Sequence, residues 1–432
     1  MINERELALD LIDFIDKSKT QFHAVAAIKE LLDNNGFKEV KMTEKWKLEA
    51  GGRYYTTKNN SALVAFVVGE DMVKNGFRLV GGHTDSPGFR IKPNPEMTVE
   101  GKYLRLNTEV YGGAILNTWF DRPLSIAGRV ALKGENPLEP KEVLVDFEKP
   151  VLTIPNLAIH MNREVNDGFK LNPQQHTLPL LAMINDKFEK ENFLIKLLAE
   201  KLNVKVEDIL DFELYLYATE KGALVGLNEE FISVGKLDDL SMVHGEMNAL
   251  ILSKNAKATN VAIAFDNEEV GSSTKQGAGS PFVRNVLNRI ALSQNLSNEE
   301  FLIALEKSFI ISADNAHAKH PNFGEKCDPT TIPVINEGPA IKLAANQAYT
   351  TDAQSAAVYE GICKAAGVPF QKFVNRSDLR GGSTIGPISS SQLPIKSVDI
   401  GNPILAMHSV RELGGVKDHF YAAKSFEEFY NL

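Results

Sequence analysis

Downstream of Leu237 the chain alternates between helical and strand-like stretches, and this alternation restricts the fold more than any other feature of the sequence. A helix is predicted over Ser241–Ser253, and apolar runs at Val261–Phe265, Phe309–Ser312, Phe370–Val374 and Ile395–Ile400 are predicted strands. Helical spacing at 281–294, 298–307 and 353–366 lies between them. A chain that alternates in this way builds a sheet covered by helices. The N-terminal part supplies more of the same, with helices at 3–16 and 22–34 and short strands at Ala62–Val68 and Arg78–Val80. Between about 90 and 235 the texture changes. Strand-like pieces (Tyr103–Val110, Ala127–Leu132, Val143–Phe147, Phe212–Tyr217) alternate with Pro- and Gly-marked turns, around one charged helix at Asp186–Leu202. The fold class is therefore α/β, a mixed sheet sandwiched by helices. One domain is formed by 1–90 together with 236–432 and is interrupted by a mainly-β insert at 91–235. A length of 432 residues is consistent with two domains.

Several of these strands run directly into acidic residues or histidine. The run ending at Phe265 is followed by Asp266, Glu268 and Glu269 in the stretch FDNEEVGS. Burying an unpaired charge is costly, so such carboxylates need something to face. The same pattern recurs at His83 and Asp85, at Asp238 and Asp239 before a helix, at Asp314, and at Asp399 with His408 beyond it. In open α/β sheets, ligands gather where the carboxyl ends of the strands meet, so five such ends point to one shared site. Two histidines and several carboxylates, without cysteine, suit a divalent ion such as Zn²⁺, Co²⁺ or Mn²⁺. The surplus of carboxylates implies two ions, about 3.5–4 Å apart, with one carboxylate shared between them. Of the neighbours Glu268 and Glu269, one can ligate while the other acts as a general base. Each residue taken singly also has an ordinary explanation, such as helix capping by Asp238 or Asp239; only the joint pattern is specific. Asp266 is expected to serve a structural hydrogen bond.

The motifs GGHTDSPGFRIKP, LDDL, DNEEVGS, SADNAHAKHPN, GPAIKLAANQAY, GGSTIGP and AMHSVRE occur in this order between residues 81 and 412, with NLAIHMNR inside the insert. With them the chain resembles a bacterial member of the aspartyl aminopeptidase family of dinuclear zinc metallopeptidases, over essentially its whole length. The resemblance implies a zinc exopeptidase-like catalytic domain and an inserted dimerisation domain. It implies that His83 binds one ion with Asp85 as its orienting catalytic partner, and that Asp238 bridges the two ions. Asp314 would share the ion of His83, Glu269 and His408 would complete the other, and Glu268 would be the general base. It further implies dimers that assemble into a tetrahedral dodecamer, with His160 of the insert reaching a neighbouring subunit's substrate. A preference for N-terminal Asp or Glu would need a cation, for which Lys342 is the first candidate and Arg376 and Arg380 are weaker ones.

The reading is thus a metallo-aminopeptidase using two divalent ions per subunit, zinc first with cobalt or manganese as alternatives, on short peptides with a free N-terminus. The alternatives are a dinuclear-metal carboxypeptidase or N-acyl deacylase and, further off, a non-enzymatic assembly stapled by metal. A net charge of −9 argues against nucleic acid or an anionic membrane as partner. No run reaches the roughly 18 apolar residues of a membrane helix. The acidic N-terminus lacks the form of a signal peptide, and two cysteines fit a reducing, cytoplasmic setting. Gly381–Gly386 lacks the lysine of a phosphate-binding loop and reads instead as a tight turn offering N–H groups to substrate.

Overall fold

The computed structural model describes residues 3–184, 192–254 and 257–432. The chain divides into two compact units. One comprises Met1–Asp85, Gly222–Met407 and Glu412–Leu432, the other Ser86–Lys221 and His408–Arg411.

The larger unit is organised by a nine-stranded mixed sheet. Its strands lie in the order Lys38–Glu39, Arg53–Lys58, Ala62–Val67, Thr259–Phe265, Phe77–His83, Phe309–Ala313, Lys396–Gly401, Ala340–Lys342, Gln371–Phe373. The four strands Thr259–Phe265, Phe77–His83, Phe309–Ala313 and Lys396–Gly401 run parallel. Their interiors are apolar without alternation, as expected of strands buried on both faces. In Ala62–Val67, Leu63, Ala65 and Val67 point into one core while Ala62, Val64 and Phe66 point into another. The period of two thus feeds two cores from one strand. Helices Glu4–Lys17, Gln21–Asn34, Leu237–Leu252, Ala353–Ala366 and Val416–Asn431 cover the first face. Helices Phe282–Ser293 and Asn298–Glu306 cover the second.

Register aligns the functional ends. Phe265 pairs with His83, and Ser312 pairs with Gly81, which brings Asp314 level with His83. A mixed sheet with helices on both faces is what the alternating pattern predicts.

The smaller unit holds a six-stranded sheet whose assigned strand pairs are antiparallel, with strands in the order Lys141–Asp146, Leu124–Leu132, Ile209–Ala218, Gly88–Val99, Tyr103–Tyr111, Leu180–Met183. Helix Phe193–Leu202 contributes Leu194 and Leu198 to its core. Of the helix expected over Asp186–Leu202, residues 186–191 lie outside the described residues.

Several elements were not expected, among them the short strands Arg53–Lys58, Leu180–Met183 and Ala340–Lys342. The strand Gly88–Val99 carries Pro93 and Pro95, which mask a strand pattern. Helix Ile385–Gln392 follows the Gly-rich stretch, and its first turn is capped by the Thr384 hydroxyl accepting from Gly386 N–H. Gly381–Thr384 itself is irregular and does not form the expected tight turn. The terminal helix Val416–Asn431 buries Val416, His419, Ala422, Phe426 and Phe429, a helical spacing interleaved with charges.

Candidate metal centre

Three parallel strands and one helix deliver the acidic and histidine residues to one place in the larger unit. His83 ends its strand, Asp314 follows Ala313, and Glu268 and Glu269 begin a short turn after Phe265. Asp238 stands in the first turn of Leu237–Leu252. There the backbone is not helical: Asp238 has φ −84° and ψ 103°, and Asp239 has φ −123° and ψ 20°. Regular helical backbone therefore begins only after Asp239, close to the start expected at Ser241, and the two aspartates stand on a non-helical turn before it.

The donor atoms converge. One ligand atom from each of His83, Asp238 and Asp314 lies within 4.8 Å of the others, and the same holds for His83, Glu268 and Glu269. His83 Nε2 is 3.8 Å from Asp238 Oδ1, while Nδ1 on the opposite side of the ring is 3.4 Å from Asp85 Oδ1. Asp85 also accepts the backbone N–H of Glu268 on Oδ1 (3.1 Å) and that of Glu269 on Oδ2 (3.2 Å). It thereby fixes the imidazole and the two glutamates together. Asp239 Oδ2 accepts His83 N–H at 3.2 Å, and a side chain at Gly82 would meet that oxygen at 2.7 Å. Only glycine leaves room for this approach.

The site is rich in negative charge. Asp85, Asp238, Asp239 and Asp314 are buried, as are His83 and Lys342. Burial, together with Asp314, Asp85 and Asp238, pushes Glu268 up to about 8 against the opposing pull of His83. Asp314 is raised by burial, although Lys342 Nζ at 3.1 Å pulls it down. Burial would lower His83, but its bond to Asp85 and the charges of Asp239 and Glu268 raise it well above its usual value. Lys342 is likewise raised, because Asp314 and its neighbours outweigh desolvation. Protons are therefore retained where carboxylates crowd, and a divalent cation is the natural replacement for them. The donor set fits such an ion, with nitrogen and oxygen ligands only.

His408, in the smaller unit, has φ +68° and places Nδ1 3.2 Å from Gly113 O. His160 lies on an exposed turn of that unit. Arg376 pairs with Asp378 at 2.7 Å and donates to Glu325 O, beside a surface cavity of about 550 Å³ that Lys319 and Cys327 also line. Arg380 is exposed. Asp266 is buried and accepts the N–H of Asn267 at 2.7 Å, a local structural role as expected. Sequence reasoning gave no role to Asn315 or Glu412 and read Asp239 only as one of the clustered carboxylates or a helix cap, although each stands within a quoted motif.

The chain matches the model of the Aminopeptidase I zinc metalloprotease (M18) family over residues 14–430. The chain belongs to the M18 aminopeptidase family. A probable M18 family aminopeptidase 2 of Clostridium novyi is 60% identical over 433 residues, covering 100% of both chains. Among solved structures, one chain of a complex of Ape4 with Nbr1 superposes with a TM-score of 0.94 at 38% identity, over 99% of this chain and 86% of that one. The S. cerevisiae mApe1 dodecamer superposes at 0.85 and 29% identity, over 98% and 96%. This M18 chain is accordingly a zinc-dependent aminopeptidase, an exopeptidase among the hydrolases. Among its described residues no helix is long and apolar enough to cross a membrane.

Proposed function

We propose that the chain removes the N-terminal residue of short peptides, with Asp or Glu preferred, at a centre holding two divalent ions. The observation that carries this reading is the double convergence on His83, with Asp238 and Asp314 in one group and Glu268 and Glu269 in the other. In it His83, Asp238 and Asp314 hold one ion. Asp238 would be shared with a second, for which Glu269 and the His408 of AMHSVRE would be ligands. Divalent ions at such a centre supply Lewis acidity and acidify bound water.

Glu268 is the general base. Its donor atom lies within 4.8 Å of those of His83 and Glu269, beside the group that would hold the ions. It accepts the proton of the attacking water and returns it to the departing amine, so that no net proton is consumed by the residue. Asp85 orients His83 and, through two backbone N–H groups, both glutamates. The free α-amine of the substrate faces the surrounding carboxylates, which accounts for exopeptidase selectivity. Lys342, the buried cation of the cluster, is assigned to the acidic side chain, with Arg376 and Arg380 as outer contributors.

The similar S. cerevisiae mApe1 forms a dodecamer. We extend that to this chain: residues 91–235 serve dimerisation, dimers build a tetrahedral dodecamer, and His160 reaches a neighbour's substrate. Residues 1–90 with 236–432 form the catalytic domain, and the setting is cytoplasmic. The test is hydrolysis of Asp-, Glu-, Leu- and Lys-naphthylamides and of N-acetyl-Asp-naphthylamide. Cleavage of free Asp and Glu substrates, with none of the acetylated one, is expected. Equal cleavage of the acetylated substrate would replace amine recognition by a deacylase reading. Preference for Leu or Lys would remove the acidic pocket.

A further inference from the structure

The peptide group that joins Leu237 to Asp238 is held at both poles by buried side chains from two other parts of the chain. Its carbonyl oxygen accepts from Asn315 Nδ2 at 2.7 Å and from Ser241 Oγ at 2.8 Å. Its N–H donates to Glu412 Oε2 at 3.0 Å. Asn315 and Glu412 are each 2% exposed. Asn315 Nδ2 also lies 3.0 Å from Ser241 Oγ and 3.5 Å from Asp239 Oδ1. No helical ladder can orient Asp238, because its dihedrals and those of Asp239 are not helical. The direction of its carboxylate therefore depends on what grips this peptide plane.

We propose that Asn315 and Glu412 are positioning residues that fix the Asp238 carboxylate for metal binding. The proposal rests on the metal-centre reading given above. Asn315 directly follows Asp314, so one segment supplies a donor atom and the clamp on a second donor. Glu412 grips the same peptide from the start of strand Glu412–Gly415. Both residues act through the backbone and neither is assigned contact with substrate. Removal of a group that orients a metal ligand lowers affinity by about 10- to 100-fold.

The experiment titrates Zn²⁺ alone into chelator-stripped protein against a chromophoric competitor, with the melting of the stripped protein recorded in parallel. Wild type takes up two ions. Glu412→Leu, which leaves the Asp238 N–H without its acceptor, weakens uptake of the ions that share Asp238 by about 10- to 100-fold. Glu412→Gln, whose amide oxygen can still accept, restores most of that affinity. Asn315→Ala, in which Ser241 still bonds the Leu237 carbonyl, gives a smaller weakening and serves as the second variant if Glu412→Leu does not fold. Wild-type affinity for both ions in folded Glu412→Leu and Asn315→Ala overturns the proposal. A wild-type protein that takes up no ion overturns the metal-centre reading itself.

Discussion

Two sets of buried carboxylates in the larger unit have opposite surroundings. Asp399 accepts from Ser312 Oγ at 2.5 Å, Thr384 Oγ1 at 2.7 Å and Thr350 N–H at 2.5 Å. Asp418 accepts the N–H groups of Asn336 at 2.6 Å and Gly338 at 2.8 Å. Burial raises both, Asp418 to about 7. Glu268 and Asp314 are raised by burial as well, but there neighbouring carboxylates add to the effect. Burial alone thus does not separate a catalytic carboxylate from a structural one; what faces the oxygens does. Asp399 and Asp418 face donors and tie loops to the sheet and to a helix start. The group around His83 faces its own kind, an arrangement that calls for a cation.

The difference can be broken by experiment, and metal removal should give the largest effect. Chelation is expected to abolish hydrolysis and to lower the melting temperature, with both restored by Zn²⁺. At an ion concentration 100 times the Kd, the stabilisation is about 2.7 kcal/mol. Chelator-insensitive melting would put the His83 group in the structural class.

Asp399 should behave in the opposite sense. Asp399→Ala orphans the buried Ser312 and Thr384 hydroxyls and the part-buried Thr350 N–H, at about 1–3 kcal/mol for each one left without water or another partner. The expected result is a lower denaturant midpoint in the stripped protein and the loaded protein alike. Destabilisation seen only in the metal-loaded form would move Asp399 to the other set.

The smallest expected effect concerns pH. Asp418 has a folded pKa near 7, above its ordinary 3.8. A raised pKa means that its protonated form favours the fold. Its contribution is fully present below about pH 4 and is lost as pH rises through about 7. Asp418→Asn should flatten this part of the stability profile, measured as denaturant midpoint against pH, by no more than a few kcal/mol. An unchanged slope would show that the two backbone donors hold Asp418 ionised throughout.

Much of this was legible in the sequence, for a physical reason. Strands buried on both faces read as unbroken apolar runs, so Thr259–Phe265 and Phe309–Ala313 were located closely, and the polar residues after them stood out. Acidic residues and histidine also announce themselves by residue type. What Asp239, Asn315 and Glu412 do was not legible from residue type, because it arises from hydrogen bonds to backbone groups distant in sequence. The distorted start of Leu237–Leu252 was hidden for the same reason: Asp238 and Asp239 look like ordinary caps until their partners are known. Helix Val416–Asn431 was missed because charged residues interrupt its apolar stripe, and strand Gly88–Val99 because two prolines do so.

The most direct test of the central claim compares wild type with Glu268→Gln, measuring bound zinc and hydrolysis on the same samples. A general base that is not a ligand predicts equal zinc content, an unaltered melting temperature to within a few degrees, and a kcat lower by about 10²- to 10⁴-fold. Retention of kcat within a few-fold, at equal zinc content, would contradict the assignment of Glu268 and with it the division between the two sets of carboxylates.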